Sequence, residues 1–154
     1  MTQDEVEAYL KEHIPLSAGM GIDVIQAGPG GVSIEVPLAP NVNHHSTAFG
    51  GSVAALAILT GWTLVHLRLR AEGLEAHTVI QSTSVRYDAP IHGSFCAATG
   101  HVDAAAWEKF TRGITRHRKG RIHVSVSVVA DGCTAATFTG AYVALAVPEG
   151  SAKQ

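Results

Sequence analysis

At 154 residues, with 46% hydrophobic and 16% charged side chains and a formal net charge of −2, the chain reads as a soluble globular protein. That length suits one domain spanning 1–154 with a sizeable core. The near-neutral balance disfavours sequence-independent binding to nucleic acid, and Cys96 and Cys133 have neither metal-ligand spacing nor the density of a disulfide framework.

The acidic, amphipathic start MTQDEVEAYLKEH is unlike a secretory signal or transit peptide, so a cytoplasmic setting with two reduced thiols is expected. Residues 3–13 place Val6, Tyr9 and Leu10 on one face, which predicts a short surface helix stopping near Pro15. Ile22 to Gln26 can form a strand. Gly28-Pro29-Gly30-Gly31 then makes a turn, and Val32, Ile34, Val36 and Leu38 alternate with polar residues and Pro37, as in a hairpin with one buried face. Ala39 to Thr47 reads as an irregular connection.

A strongly apolar helix follows, from the pair Gly50-Gly51 to about Arg70, with Gly73 where a helix commonly terminates. No ionised side chain occurs from Ala48 to Val65, which is long enough for a membrane span. Gly50, Gly51, Ser52, Thr60, Gly61 and Thr63 dilute its apolarity, however, and strands follow it. The centre of a soluble core is therefore the expected place, with no membrane partner.

Thr78 to Asp88 is expected to be a strand broken at Pro90 and Gly93, and Ser94 to Val102 another. Arg121 to Val129 alternates, with Ile122, Val124, Val126 and Val128 inward. Asp131-Gly132 is a turn signal, Thr134 to Val147 the last strand, and residues 151–154 a frayed tail. Residues 104–120 suit either a helix or a long basic connection. This order describes an α+β fold, an antiparallel sheet wrapped around a long central helix, whose long edges pairing between subunits can protect.

The chemistry concentrates at Asn43 to Trp62. A glycine pair opening a buried helix exposes backbone N–H groups, and such groups bind oxyanions or phosphates. Tight packing of the helix start is the structural alternative. His44 and His45 precede it and are the nearest titratable groups; loop exposure alone also explains them. The nine histidines are scattered without HxH or HExxH spacing, so no metal site is expected. Ser52 and Thr60 can orient a water or simply satisfy a helix carbonyl. Lys109, Arg112, Arg116, Arg118, Lys119 and Arg121 supply six of the eleven Lys and Arg residues, a concentrated positive patch that lacks the interleaved aromatics of a nucleic-acid surface. Gly120 can let the chain turn close to a ligand or start a strand.

The string TAFGGSVAALAILTGW, with VRYDAPI, HRKGRIHVSVSV and the ending FTGAYVAL, resembles the hotdog-fold thioesterases, and more narrowly their YiiD C-terminal-domain branch. The resemblance covers nearly the whole chain. It implies hydrolysis of an acyl thioester of coenzyme A or acyl carrier protein, by a homodimer or homotetramer, with coenzyme A as part of the substrate and no other cofactor. Gly50, Gly51 and Ser52 would form the oxyanion hole, and Asn43 would orient the carbonyl or the water, or alternatively cap the loop. Phe49 stands where many relatives keep a histidine and can only shape the pocket, together with Val53, Leu56, Tyr87 and Trp62. Arg118, Lys119 and Arg121 would meet the nucleotide phosphates or an acidic carrier protein. Relatives often carry a carboxylate two turns into the helix, and here that position is Ile58. The base would then be a loop histidine. Asp88, at the end of the YDAP strand, can reach a neighbouring subunit's helix start and the substrate there, or it can merely cap the turn before Pro90. The missing carboxylate also motivates a rival reading, a non-catalytic acyl-thioester binding protein, and more weakly an enoyl-thioester hydratase.

Overall fold

The computed structural model describes residues 1–148; the fraying expected of residues 151–154 lies outside them. Helix α1 (Gln3–His13) starts at a capping box in which Thr2 accepts from the Glu5 N–H and Glu5 accepts from the Thr2 N–H. It buries Val6 and Leu10, as their spacing requires. It ends at His13, just before Pro15, as expected. Proline at a first helical position leaves no orphaned N–H, so a second helix, α2 (Pro15–Met20), begins there. It ends at Gly21, whose φ of +72° is left-handed.

Six strands form one antiparallel sheet: β1 (Asp23–Gly28), β2 (Gly31–Val36), β3 (Ala76–Tyr87), β4 (Phe95–Thr99), β5 (Lys119–Ala130) and β6 (Cys133–Ala146), in the spatial order β1-β2-β4-β5-β6-β3. β2 ends at Val36, before Pro37, so Leu38 lies outside the strand face expected for it. β4 is shorter than its apolar run because Gly100 and Asp103 lead into another helix. Asp131 and Gly132, at φ 51° and 73°, make the tight β5–β6 hairpin. A short 3-10 turn (Ala39–Asn41) occupies the irregular connection.

Helix α3 (Gly50–Ala71) runs along the inner face of the sheet and buries eleven residues there, among them Val53, Leu56, Val65 and Leu69. By length and composition it could cross a membrane, but the fold covers most of it. Facing it are Ile122, Val124, Val126 and Val128 of β5, all buried, while His123, Ser125 and Ser127 point outward. A sheet wrapped around a central helix is the hotdog architecture that the sequence resemblance implied.

Residues 104–117 form a helix, α4, rather than a loop. Trp107, Phe110 and Ile114 are its buried stripe, and its basic residues face away from the core. Asp103 caps its start by accepting from the Ala106 N–H. Gly113 and Gly120 let α4 lie against the start of β5: a Cβ on Gly120 would strike the Phe110 carbonyl. Close packing therefore accounts for Gly120.

Candidate functional site

The loop before α3 is organised by Asn43. Its Oδ1 accepts from the backbone N–H of His45 (2.8 Å) and of Thr47 (3.2 Å), and its Nδ2 donates to Thr47 Oγ1 (2.9 Å). The Asn43 N–H adds a bond to the Thr47 carbonyl at 2.8 Å. Ser46 takes a left-handed φ of 62° within this turn. Side-chain bonds of this kind are how asparagine builds a turn. His44 and His45 are both exposed, with their rings 3.8 Å apart.

Two bonds then fix where the helix begins. The Phe49 N–H donates to the Asn41 carbonyl (2.7 Å) and the Ala48 N–H to the Ile91 carbonyl (2.9 Å). Asn41 is 2% exposed, and its Nδ2 donates to the Met20 and Pro37 carbonyls. It is a positioning residue that the sequence reading missed. Its only signal there was an asparagine beside proline in an irregular connection.

Phe49 precedes the helix in an extended conformation, and no side chain caps the start. Its carbonyl accepts from both the Ser52 N–H (2.9 Å) and the Val53 N–H (3.1 Å). The Ser52 donor is thus engaged. Among the described residues, the N–H groups of Gly50 and Gly51 have no acceptor. They sit at the positive end of a 22-residue helix with no acidic residue in its first turn.

Packing does not demand glycine at Gly50. A Cβ there would meet only the Tyr87 ring, at 3.5 Å, which is ordinary contact. At Gly51 the obstacle is the Phe49 ring, the mobile end of a side chain that is 55% exposed. Helices favour alanine over glycine by about 1 kcal/mol per interior residue, so this pair weakens the helix start without a packing return.

Beside Gly50 lies an open cavity of about 350 Å³, lined by Ala48, Gly50, Val53, Tyr87, Asp88 and the segment through Ile91, and closed behind by Ala135 and Ala136. The β3–β6 register builds it by placing Tyr87 opposite Ala136. The Asp88 and Ala89 N–H groups both donate to the Ala135 carbonyl, which turns the chain back over the helix start. Tyr87 donates its hydroxyl to the Gly50 carbonyl at 2.8 Å, tying β3 to α3. Arg86 Nε donates to Asp88 Oδ1 at 2.9 Å, in an exposed pair.

The structure thus brings together Gly50, Gly51, Phe49, Tyr87 and Asp88. Val53 lines the cavity, whereas Leu56 is sealed in the core and Trp62 packs on His66 with its Nε1 donating to the Thr78 carbonyl. Thr60 is fully buried, and its hydroxyl donates to the Leu56 carbonyl at 2.7 Å. The Ile58 carbonyl accepts from the Tyr142 hydroxyl at 2.7 Å, and burial pushes that phenol's pKa upward. Arg118, Lys119 and Arg121 lie at the other end of the sheet: Lys119 pairs with Leu145, while Val128 pairs with Ala136 beside the cavity. Nine residues of strand, about 30 Å, separate the two ends. Among the described residues, no cluster of three His, Cys, Asp or Glu side chains could hold a metal ion.

A family model described as "Putative thioesterase (yiiD_Cterm)" matches residues 3–146. The chain belongs to this family. Solved structures similar to this YiiD C-terminal family member include a protein of unknown function from Chlorobaculum tepidum, 25% identical, with a TM-score of 0.88 over 94% of each chain. A structure from Shewanella oneidensis, described as a putative thioesterase, is 29% identical, with a TM-score of 0.82 over 95% of this chain and 97% of its own. A Haemophilus influenzae thioesterase, 12% identical, shares the fold at a TM-score of 0.76 over 98% of this chain and 95% of its own.

Proposed function

We propose that this chain hydrolyses acyl thioesters of coenzyme A or acyl carrier protein to the free acid and the thiol. One observation carries the reading: among the described residues, the adjacent N–H groups of Gly50 and Gly51 are without acceptors at a helix start, and Gly50 lines a cavity that Asp88 also lines. The thioester carbonyl oxygen accepts from these N–H groups. Water adds to the carbonyl carbon as Asp88 takes its proton. The resulting oxyanion is held by donors already in place, which is where such sites gain most of their rate. The intermediate then collapses, the C–S bond breaks, and the thiolate leaves and is protonated.

Asp88 is preferred to His44 and His45 as the base because it lines the cavity and they do not. Asn43 is a positioning residue, since its side chain holds the loop that presents the helix start. Two reduced thiols and a coenzyme A substrate suit a cytoplasmic setting.

A second copy of the chain supports the same chemistry. Among the described residues, β3 is a twelve-residue edge strand with one side unpaired and with Val79 exposed on it. Such an edge invites a partner. Antiparallel pairing of two β3 strands would set the Lys119 end of one copy two to three strands, about 10–15 Å, from Tyr87 of the other. Arg118, Lys119 and Arg121 would then face the coenzyme A phosphates or an acidic carrier protein.

A second reading, binding without turnover, is favoured by Ile58, whose apolar side chain occupies the position of the helix carboxylate. A thiol-release assay over short, medium and aromatic acyl-CoAs separates the two. Turnover that is lost in Asp88→Asn with binding retained supports the hydrolase; saturable binding with no release on any chain length supports the binding protein. Reversing Arg118 and Arg121 to Glu should weaken coenzyme A binding and flatten its salt dependence, and unchanged affinity would move the nucleotide elsewhere.

A further inference from the structure

We propose that a second cavity, towards the other end of α3, binds a small monocarboxylate with a compact apolar body. It measures about 370 Å³ and lies between the β1–β2 turn and the segment from β4 to α4, with Leu64 and Arg68 of α3 on its wall. These two residues share a helix face at i and i+4. Eighteen residues, about 27 Å of helix, separate Arg68 from Gly50, so this is not an extension of the first cavity.

Arg68 gives the site its charge. The residue is half-buried, and its guanidinium carbon lies over the Trp107 ring, 4.3 Å from the centroid. A guanidinium held against an aromatic face keeps its N–H fork available, and that fork grips a carboxylate with two parallel bonds. Those donors are free. Arg86 and Arg112 each hold a carboxylate, but among the described residues Arg68 has no acid within 4.0 Å and donates no side-chain hydrogen bond. Glu72, one turn later, instead accepts from Trp107 Nε1 at 2.6 Å, which fixes the ring that orients Arg68.

The rest of the cavity sets the ligand's body. Leu64 and Val102 offer apolar wall, Gly30 and Gly100 leave it open, and among the described residues His101 is the only other titratable group on it. The C-terminal carbonyls of α3 and the Glu72 carboxylate oppose an anion, so binding rests on direct contact with the Arg68 fork rather than on the local field. A single carboxylate on a ring or short chain satisfies that fork and fills the apolar wall.

Benzoate added to the full-length protein tests this without any thioester, so its failure leaves the reading of the helix start intact. The protein has two tryptophans. The indole N–H signal of Trp107 should shift saturably while that of Trp62 stays still. Benzamide, which keeps the shape and loses the charge, should bind about tenfold more weakly or worse, and Arg68→Gln should weaken benzoate by about ten- to a hundredfold. Arg68→Lys, which keeps the charge but loses the fork, should fall between. A Trp107 signal that is still at tens of millimolar benzoate, or equal affinity for benzamide in the unaltered protein, overturns the proposal. So does undiminished benzoate binding in a folded Arg68→Gln protein.

Discussion

Gly61 and the Gly50-Gly51 pair lie on the same helix and answer to different constraints. At Gly61 the Tyr142 hydroxyl occupies the space a Cβ would need, and it donates from there to the Ile58 carbonyl. Packing requires glycine at that point. At Gly50 the nearest atoms a Cβ would meet are those of the Tyr87 ring, at ordinary distance, and at Gly51 they are those of the exposed Phe49 side chain. Among the described residues the pair leaves two N–H groups unmatched, and Gly50 lines a cavity. A glycine explained by its neighbours needs no ligand, and one that its neighbours do not explain points to one.

The largest effect should come from the cavity rather than from either glycine. Asp88→Asn should lower thiol release by about 10²–10⁴-fold, the usual weight of a general base. The melting temperature should barely move, because the Arg86 pair it breaks is exposed. A variant that retains full turnover would remove Asp88 from the chemistry.

Gly61→Ala should cost about 1–3 kcal/mol by urea denaturation, as overpacking does. Tyr142→Phe should cost about 1 kcal/mol, since it loses only the bond to the Ile58 carbonyl. Gly50→Ala should behave oppositely to Gly61→Ala. Its stability should hold or rise by up to about 1 kcal/mol, while turnover falls because the new methyl stands where the thioester must approach. If both substitutions destabilised equally and neither touched turnover, the contrast between the two positions would be lost.

The smallest effect is a pH slope in stability. His66 lies between the Tyr9 and Trp62 rings, and burial, then Arg70 and His13, hold its pKa below the ordinary value. The unfolded chain therefore takes up a proton near pH 6.5 that the folded protein refuses, and stability declines as the pH falls from there towards the folded pKa. Glu7 adds to the decline at lower pH. Its bond from Lys11, then that from the Val24 N–H, depress its pKa, so its contribution is present above the usual glutamate range and lost as the pH drops through the folded value. His66→Gln should flatten the upper part of the slope in a series of urea melts, leaving the lower part to Glu7.

Much of this was legible in the sequence, and the boundary has physical causes. The apolar run without charge from Glu35 to Arg68 marks α3, and the alternation from Arg121 marks β5, because both follow directly from burial on one side or all round. Residues 104–120 stayed ambiguous because basic residues dominate them. The three buried positions, Trp107, Phe110 and Ile114, carry the helical spacing, and the charges merely occupy the outer face. Helix α2 has six residues, too few to show a period. At the site, the glycine pair could be read directly. The cavity wall could not: Ala135 and Ala136 are small apolar residues far along the chain, brought to Tyr87 only by strand register. Nor could the sequence tell Gly50 from Gly61, since the difference lies in what stands opposite.

The central claim is that the Gly50 and Gly51 amides receive the thioester oxygen. Selective ¹⁵N-glycine labelling, with an acyl-CoA analogue that keeps the carbonyl and replaces sulfur by a methylene, tests it most directly. The amide protons of Gly50 and Gly51 should move downfield saturably as they gain an acceptor, while that of Gly61 should not move. Saturable binding of the analogue that leaves both amides unshifted would contradict the claim.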